Sequence, residues 1–203
     1  MPIPIIRTKL YRPSVAEDHL HRQHLLDRLD ARSQRPLTLV SAPAGYGKST
    51  LMSCWLESCD CPSAWISLDD NDSDLRSFMV YITEAIESMF QRTLQTTCKW
   101  LEATDLQSLE ILFTSMVNEL YEIDGQFIIV LDDFHNIRDK RVHELIQKLL
   151  IHPPKAMHLA VVTRRDPPFS MSALRAGGRM TEIRVQDLRF SPSEIASFLR
   201  RVM

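Results

Sequence analysis

The residues best suited to chemistry lie in one stretch, 37–51, which reads LTLVSAPAGYGKSTL. Its first four residues are apolar or β-branched and predict a short buried strand, and a turn containing Gly45 and Gly47 follows. Lys48 and Ser49 then open a stretch whose apolar residues recur at helical spacing. A strand, a glycine turn, a Lys-Ser pair and a helix are the context in which a phosphate-loop pattern has a physical meaning.

The chemistry that this turn predicts is the binding of a phosphate chain. Backbone N–H groups at the positive end of a helix converge on phosphate oxygens, and glycines allow the φ angles that this requires. Lys48 would reach the β- and γ-phosphates, and the Ser49 hydroxyl would ligate Mg²⁺. Ala42 is a mild replacement for the first glycine of the pattern, and the alternative is an ordinary turn with a chance Lys-Ser. The predicted nucleotide-binding residues here are Pro43, Ala44, Gly45, Tyr46, Gly47, Lys48, Ser49 and Thr50.

A second informative stretch, 127–135, reads FIIVLDDFH. Its apolar run without alternation predicts a strand buried on both faces, as in a parallel sheet between helices. Because a buried carboxylate is costly without a partner, Asp132 and Asp133 indicate a hydrated Mg²⁺ beside the phosphates. Asp132 would hold this Mg²⁺, mostly through water, and Asp133 would polarise the attacking water or sense the γ-phosphate. His135 is either a second-sphere group or a packed loop residue.

A third apolar run, 157–163, is followed at once by Arg164 and Arg165. If this strand lies between the other two, Arg164 stands where the γ-phosphate would be. It could then report the nucleotide state or offset transition-state charge. The alternative is a pair of surface arginines.

The remaining pattern predicts the elements that must position these residues. Strands are expected at 37–40, 64–68, 127–131, 157–163 and 180–185, and helices at 17–33, 48–59, 74–92, 105–123, 139–152, 170–176 and from 191 onward. Residues 93–104 are predicted to form a polar link. Five strands alternating with helices predict a mostly parallel α/β sheet with right-handed crossovers.

Two further segments have open interpretations. The arm and helix before the first strand could cover a nucleotide base and ribose, or could simply pack at an edge. The acidic loop 69–72 could ligate a cation, but its spacing is not that of a calcium loop. We favour a solvated loop with Ser73 or Asp74 as the N-cap of the next helix.

Composition limits the class of protein. A chain of 203 residues with 44% hydrophobic and 25% charged residues fits one globular α/β domain. The formal net charge of −2 gives no reason to expect nucleic acid or an anionic membrane as a partner. The four cysteines form no disulfide framework or zinc pattern, which predicts reduced thiols and a cytoplasmic protein. No signal peptide or membrane span is predicted.

The segments TKLYRP, SAPAGYGKSTL, WISLDDNDSD, VLDDFH, VVTRRDPP and LRAGGRMTEIRVQDLRFSPSE together resemble the nucleotide-binding domain of MalT-like regulators. These are ATP-dependent transcriptional activators of the LuxR family, within the STAND class of signalling NTPases. The resemblance implies a three-layer P-loop NTPase of the ASCE or RecA-like kind, with a five-stranded sheet in the order 5-1-4-3-2. It implies ATP or ADP and Mg²⁺ as cofactors, ATP-dependent oligomerisation and slow hydrolysis.

The family's functional residues can be carried over where the motifs match. Lys48 and Ser49 match the phosphate-loop (Walker A) pair, and Asp132 and Asp133 match the Walker B acids. Arg164 matches a sensor arginine. Arg22 stands where related proteins place an arginine before the loop, and is a further predicted nucleotide-binding residue. The predicted catalytic residues are Asp133, Lys48 and Arg164, and the predicted metal ligands are Ser49 and Asp132.

The resemblance also suggests a division of the chain. We expect an N-terminal arm and helix at 1–36, a P-loop core at 37–190 and the start of a helical subdomain at 191–203. Family members continue into a winged-helix region, a sensor and a DNA-binding domain, so this chain is not expected to contact DNA directly. Its expected partners are nucleotide and further domains or copies of the same regulator, with no membrane.

Three functions fit these patterns. The first is a switch ATPase that binds Mg-ATP and hydrolyses it slowly. The second is a small-molecule kinase, although no separate arginine-rich lid is evident and the paired carboxylates favour water as the nucleophile. The third is a nucleotide-binding scaffold module without turnover.

Overall fold

The fold was examined in a computed structural model that describes residues 4–16, 19–31, 35–103 and 108–202. Its centre is a parallel sheet of five strands in the order β2-β3-β4-β1-β5. This is the predicted order 5-1-4-3-2, which is confirmed, as is the three-layer α/β class. The strands are β1 (Leu37–Ser41), β2 (Ser63–Ser67), β3 (Phe127–Asp132), β4 (Met157–Thr163) and β5 (Met180–Arg184).

Helices connect the strands and cover both faces of the sheet. Their bounds are α1 (Gln23–Asp30), α2 (Lys48–Ser58), α3 (Leu75–Met89), α4 (Gln95–Glu102), α5 (Leu109–Tyr121), α6 (Lys140–Ile151), α7 (Met171–Ala176), α8 (Val185–Leu188) and α9 (Pro192–Val202). Across the described ranges, none of these helices combines the length and the apolar character needed to cross a bilayer.

The alternation of side chains along the strands divides the core into two layers. Leu39 of β1 faces a layer built with α3, α4, α5, α6 and α7. Val40, the next residue, faces the opposite layer, which contains α1, α2 and α8. Every residue of β1, β3 and β4 is buried, as expected for strands covered by helices on both sides.

Two of the sequence-based element assignments differ clearly from the structure. Residues 93–104 are not a polar link, because α4 occupies most of that range. The helix predicted over 17–33 is shorter, since α1 spans only Gln23–Asp30. Residues 17, 18 and 32–34, at the ends of that prediction, lie outside the described residues, as do 104–107 at the start of the helix predicted over 105–123.

The acidic loop 69–72 and the residues after it contact the next helix and the N-terminal arm. Asp74 is the N-cap of α3, and its side chain accepts a hydrogen bond from the N–H of Ser77, which confirms one of the two predicted caps. Lys9 of the N-terminal arm lies 2.7 Å from a carboxylate oxygen of Asp69 and of Asp72. The arm therefore offsets part of the negative charge of the loop, and its residues Arg7–Leu10 lie against β2.

Candidate functional site

The glycine loop joins β1 to α2 at the carboxyl edge of the sheet. Gly45 and Gly47 have φ angles of +82° and +69°, which residues with a side chain rarely adopt. Gly47 is the N-cap of α2 and contributes no side-chain cap. The first N–H groups of α2 therefore have no side-chain cap among the described residues, and the positive end of the helix faces the loop.

Lys48, the first residue of α2, turns its side chain back over the loop. Its Nζ donates a hydrogen bond to the carbonyl oxygen of Pro43 at 3.0 Å, and the residue is only 7% exposed. Burial lowers the pKa of Lys48. The negative charges of Asp133 and Asp132 oppose this effect, and the positive charge of Arg164 adds to it. The ammonium group thus lies inside the loop, close enough to Asp132 and Asp133 for their negative charges to favour its protonated form.

Ser49 and Asp132 meet directly, although they are far apart in the sequence. The Ser49 hydroxyl donates a hydrogen bond to Asp132 Oδ2 at 2.9 Å, and Asp132 is 6% exposed. Burial raises the pKa of the Asp132 carboxyl. The hydrogen bond from Ser49 lowers it, and the negative charge of the nearby Asp133 raises it further. A cation at this position would relieve the electrostatic cost of burying the carboxylate.

This donor pair fits Mg²⁺, which prefers oxygen ligands and keeps several waters. Within the described ranges, no group of three or more His, Cys, Asp or Glu side chains could hold a metal by itself. The remaining ligands would therefore come from water and from phosphate oxygens, the arrangement usual where Mg²⁺ is bound together with a nucleotide.

Asp133 adopts a left-handed conformation, with φ +54° and ψ +35°, directly after β3. This conformation is uncommon outside glycine, although aspartate tolerates it better than most residues. Its carboxylate lies 3.8 Å from Arg164 Nε and 3.6 Å from His135 Nδ1. Burial lowers the pKa of His135, with Asp133 opposing this, so the imidazole is neutral near pH 7.

The sheet order explains how these groups meet. β4 pairs in parallel with β1 on one side and β3 on the other. The loops that carry Lys48, Arg164 and Asp133 consequently leave the same edge of three adjacent strands. The prediction that Arg164 lies between the phosphate loop and the acids agrees with this order.

A largely apolar cavity of about 490 Å³ opens beside the loop. The loop and the start of α2 contribute Gly45, Tyr46, Gly47 and Thr50 to it. The other walls come from α1 with the segment before it and from residues 188–195. The lining residues on those walls are His19, Leu20, Arg22, Leu26, Leu188, Arg189, Phe190 and Ile195.

Arg22 lies at the edge of this cavity, but its hydrogen bonds go to the C-terminal segment. Its Nε donates to Glu194 Oε1 at 2.9 Å and its Nη1 to the carbonyl oxygen of Leu188 at 2.9 Å. The sequence indicated Arg22 only through the resemblance. It did not identify Leu188, Phe190 or the contact between Arg22 and Glu194, and the one local signal in this segment is the capping-box pattern Ser191-x-x-Glu194 at the start of α9.

The fold and the loop are those of the P-loop ATPases. The profile of the AAA ATPase domain family matches residues 19–162, and this chain belongs to that family.

Curated relatives match nearly the whole chain but are much longer. The HTH-type transcriptional regulator MalT of Vibrio cholerae is 34% identical over 197 residues, which are 97% of this chain and 22% of the relative. The protein of the same name from Yersinia enterocolitica is 33% identical over 198 residues, which are 96% of this chain and 21% of the relative. The chain therefore spans about a fifth of the length of these relatives.

Solved structures share the fold. A STAND protein with a tetratricopeptide repeat sensor from Pyrococcus horikoshii has a TM-score of 0.68 at 16% identity, covering 98% of this chain and 27% of that one. The Cdc6p structure from Pyrobaculum aerophilum has a TM-score of 0.57 at 17% identity, and the match covers 97% of this chain and 53% of the Cdc6p chain. At these identities the likeness concerns the fold alone.

Proposed function

We propose that this chain binds Mg-ATP and hydrolyses it slowly, as the switch domain of a MalT-like transcriptional regulator. The observation that carries the proposal is the 2.9 Å contact between Ser49 Oγ and Asp132 Oδ2 beside a glycine loop. A hydroxyl and a buried carboxylate meet there at the positive end of a helix, which suits Mg²⁺ and a phosphate chain together.

The proposed roles follow from position. N–H groups of the loop and of the first turn of α2 bind the β-phosphate, and Lys48 exchanges its bond to the Pro43 carbonyl for phosphate oxygens. Ser49 and Asp132 hold Mg²⁺, which would offset negative charge on the phosphates. The proposed loop contacts to nucleotide are those of Pro43, Ala44, Gly45, Tyr46, Gly47 and Thr50.

Asp133 and Arg164 are the proposed catalytic pair on the γ-phosphate side. The Asp133 carboxylate would orient and polarise the attacking water, and Arg164 would stabilise charge on the transferred phosphoryl group. Their 3.8 Å separation allows a bound γ-phosphate to compete with Asp133 for the arginine. Nucleotide state is thereby coupled to the loops that follow β3 and β4.

The output is proposed to be nucleotide-dependent oligomerisation through contacts with further domains or copies of the regulator, in the cytoplasm. Residues 37–190 would form the core, preceded by the arm and helix 1–36 and followed by 191–203 as the start of a helical subdomain. The free thiols of the four cysteines, all in the described part of the chain, suit a reducing compartment.

Steady-state phosphate release from Mg-ATP tests the turnover claim. Slow release without any acceptor, lost in Asp133→Asn, supports the switch ATPase. Turnover that strictly requires a small-molecule acceptor would instead establish a kinase. Tight binding with no release under any condition would reduce the function to a nucleotide-binding scaffold.

A further inference from the structure

The cavity beside the phosphate loop has one wall that comes from the far end of the chain. Leu188, Arg189, Phe190 and Ile195 line it together with Gly45 and Tyr46. This wall consists of the end of α8, the start of α9 and the turn between them, and we call it the 188–195 wall. A base and ribose attached to phosphates on the loop would lie against it.

One side chain holds the 188–195 wall to the N-terminal part of the domain. Arg22 donates from Nε to Glu194 at 2.9 Å and from its two Nη atoms to the carbonyl oxygens of residues 187, 188 and 189 at 2.9–3.1 Å. Its guanidinium carbon also lies 5.3 Å from the centre of the Phe190 ring. The carbonyl oxygens at the end of α8 thus accept hydrogen bonds from Arg22, a residue that precedes β1.

We propose that Arg22 is a positioning residue that builds the base-binding side of the pocket by holding the 188–195 wall, and that it does not grip the phosphates. This inference rests on the proposed nucleotide binding and assigns the regulation of that site. Nucleotide affinity and the position of α9 are then linked, because a nucleotide that contacts the wall stabilises the position that the wall has in this structure.

The geometry favours this role over a direct phosphate contact. The Arg22 side chain is only 10% exposed, and its donors are already directed at oxygens of the wall. Glu194 in turn accepts from the Ser191 N–H at 2.7 Å, so the same carboxylate caps α9 and holds the arginine. Burial would raise the pKa of Glu194, but hydrogen bonds from Arg22 and Ser191 outweigh it and bring the pKa to about 2. Glu194 is therefore ionised at any physiological pH.

The test separates the base from the phosphates. Mg-ATP and Mg-tripolyphosphate, which has no base or ribose, compete with a fluorescent ATP analogue on the wild-type chain and on Arg22→Ala, Arg22→Lys and Glu194→Gln. Glu110→Gln and Arg141→Ala are matched controls, because each breaks an exposed ion pair away from the cavity. Circular dichroism establishes that each variant is folded.

We expect Arg22→Ala and Glu194→Gln to weaken ATP about tenfold, as when the competent wall is populated a tenth of the time, and to leave tripolyphosphate unchanged. Arg22→Lys keeps the charge but loses the fork of donors, so it should restore little. Both controls should match the wild type.

Two results would overturn the inference. Arg22→Ala could weaken tripolyphosphate as much as ATP while Glu194→Gln weakens neither, which would make Arg22 a direct phosphate ligand. Unchanged ATP affinity in both variants would also refute it. Failure of the wild-type chain to bind either compound is a different result, since it refutes the proposed function itself.

Discussion

Replacing Gly47 by alanine separates the conformational role of the loop from its binding role. Gly47 has φ +69° and ψ +23°, and a Cβ added there would meet nothing within 4 Å. The cost of the substitution is therefore conformational rather than steric. An alanine held in the left-handed region costs about 1–2 kcal/mol. The alanine also restricts the unfolded chain, which returns about 0.4–1 kcal/mol.

The net loss is about 1 kcal/mol, which lowers the melting temperature of a chain of this size by about 2–4 °C. Gly125 provides a matched control, because it has φ +84°, equally open surroundings and a position just before β3, away from the loop. Gly125→Ala should lose similar stability. Gly47→Ala alone should also weaken Mg-ATP binding, about fivefold to tenfold, because a loop strained by about 1–2 kcal/mol relaxes in most molecules into conformations whose N–H groups do not converge on the phosphates.

Thermal unfolding and isothermal titration calorimetry measure the two effects separately. Wild-type affinity in a folded Gly47→Ala protein would refute the claim that this conformation positions the phosphate ligands. Equal loss of affinity in both variants would show that binding merely follows stability.

Three further substitutions test other parts of the site. Ser49→Ala should weaken ATP binding when Mg²⁺ is present and change it little in EDTA, as measured by calorimetry; an equal loss in both would remove Ser49 as a metal ligand. Arg164→Gln should still bind ATP but lower phosphate release about 10²-fold, and unchanged turnover would contradict a catalytic role. Glu194→Gln should destabilise the protein near neutral pH. Because the folded pKa of about 2 lies below the ordinary 4.5, this difference should shrink as pH falls from 4.5 towards 2. Urea unfolding across that range checks the sign, and a constant difference would contradict it.

The site could be predicted largely because its residues follow strands. A buried strand that ends in a glycine turn, or in two acids, carries its chemistry in the local pattern, so Lys48 and Asp132 could be identified from sequence. That the β4 strand lies between the other two depends on pairing over long distances. Periodicity does not contain that information, and the order of the sheet was predicted from family resemblance.

The missed features depend on partners that are distant in sequence. The α4 segment is rich in polar residues, and its first N–H groups are satisfied by the carboxylate of Glu119 on α5, which accepts from Thr96 and Thr97. Nothing in the local pattern indicates that cap. The hydrogen bond from Arg22 to Glu194 joins residues near opposite ends of the chain, so no local sequence pattern indicates it either. The left-handed conformation of Asp133 also has no local signal, because aspartate is ordinary at a strand end.

Calorimetric titration of the wild-type chain and of Lys48→Ala with Mg-ATP tests the central claim most directly. Among the residues that the structure describes, Lys48 donates only to a loop carbonyl at 3.0 Å, so its removal should leave the fold largely intact while deleting the one ammonium group in the loop. The account predicts one nucleotide bound per wild-type chain and no measurable binding by the folded variant. Equal affinity in the two proteins, or no binding by the wild-type chain, would contradict it.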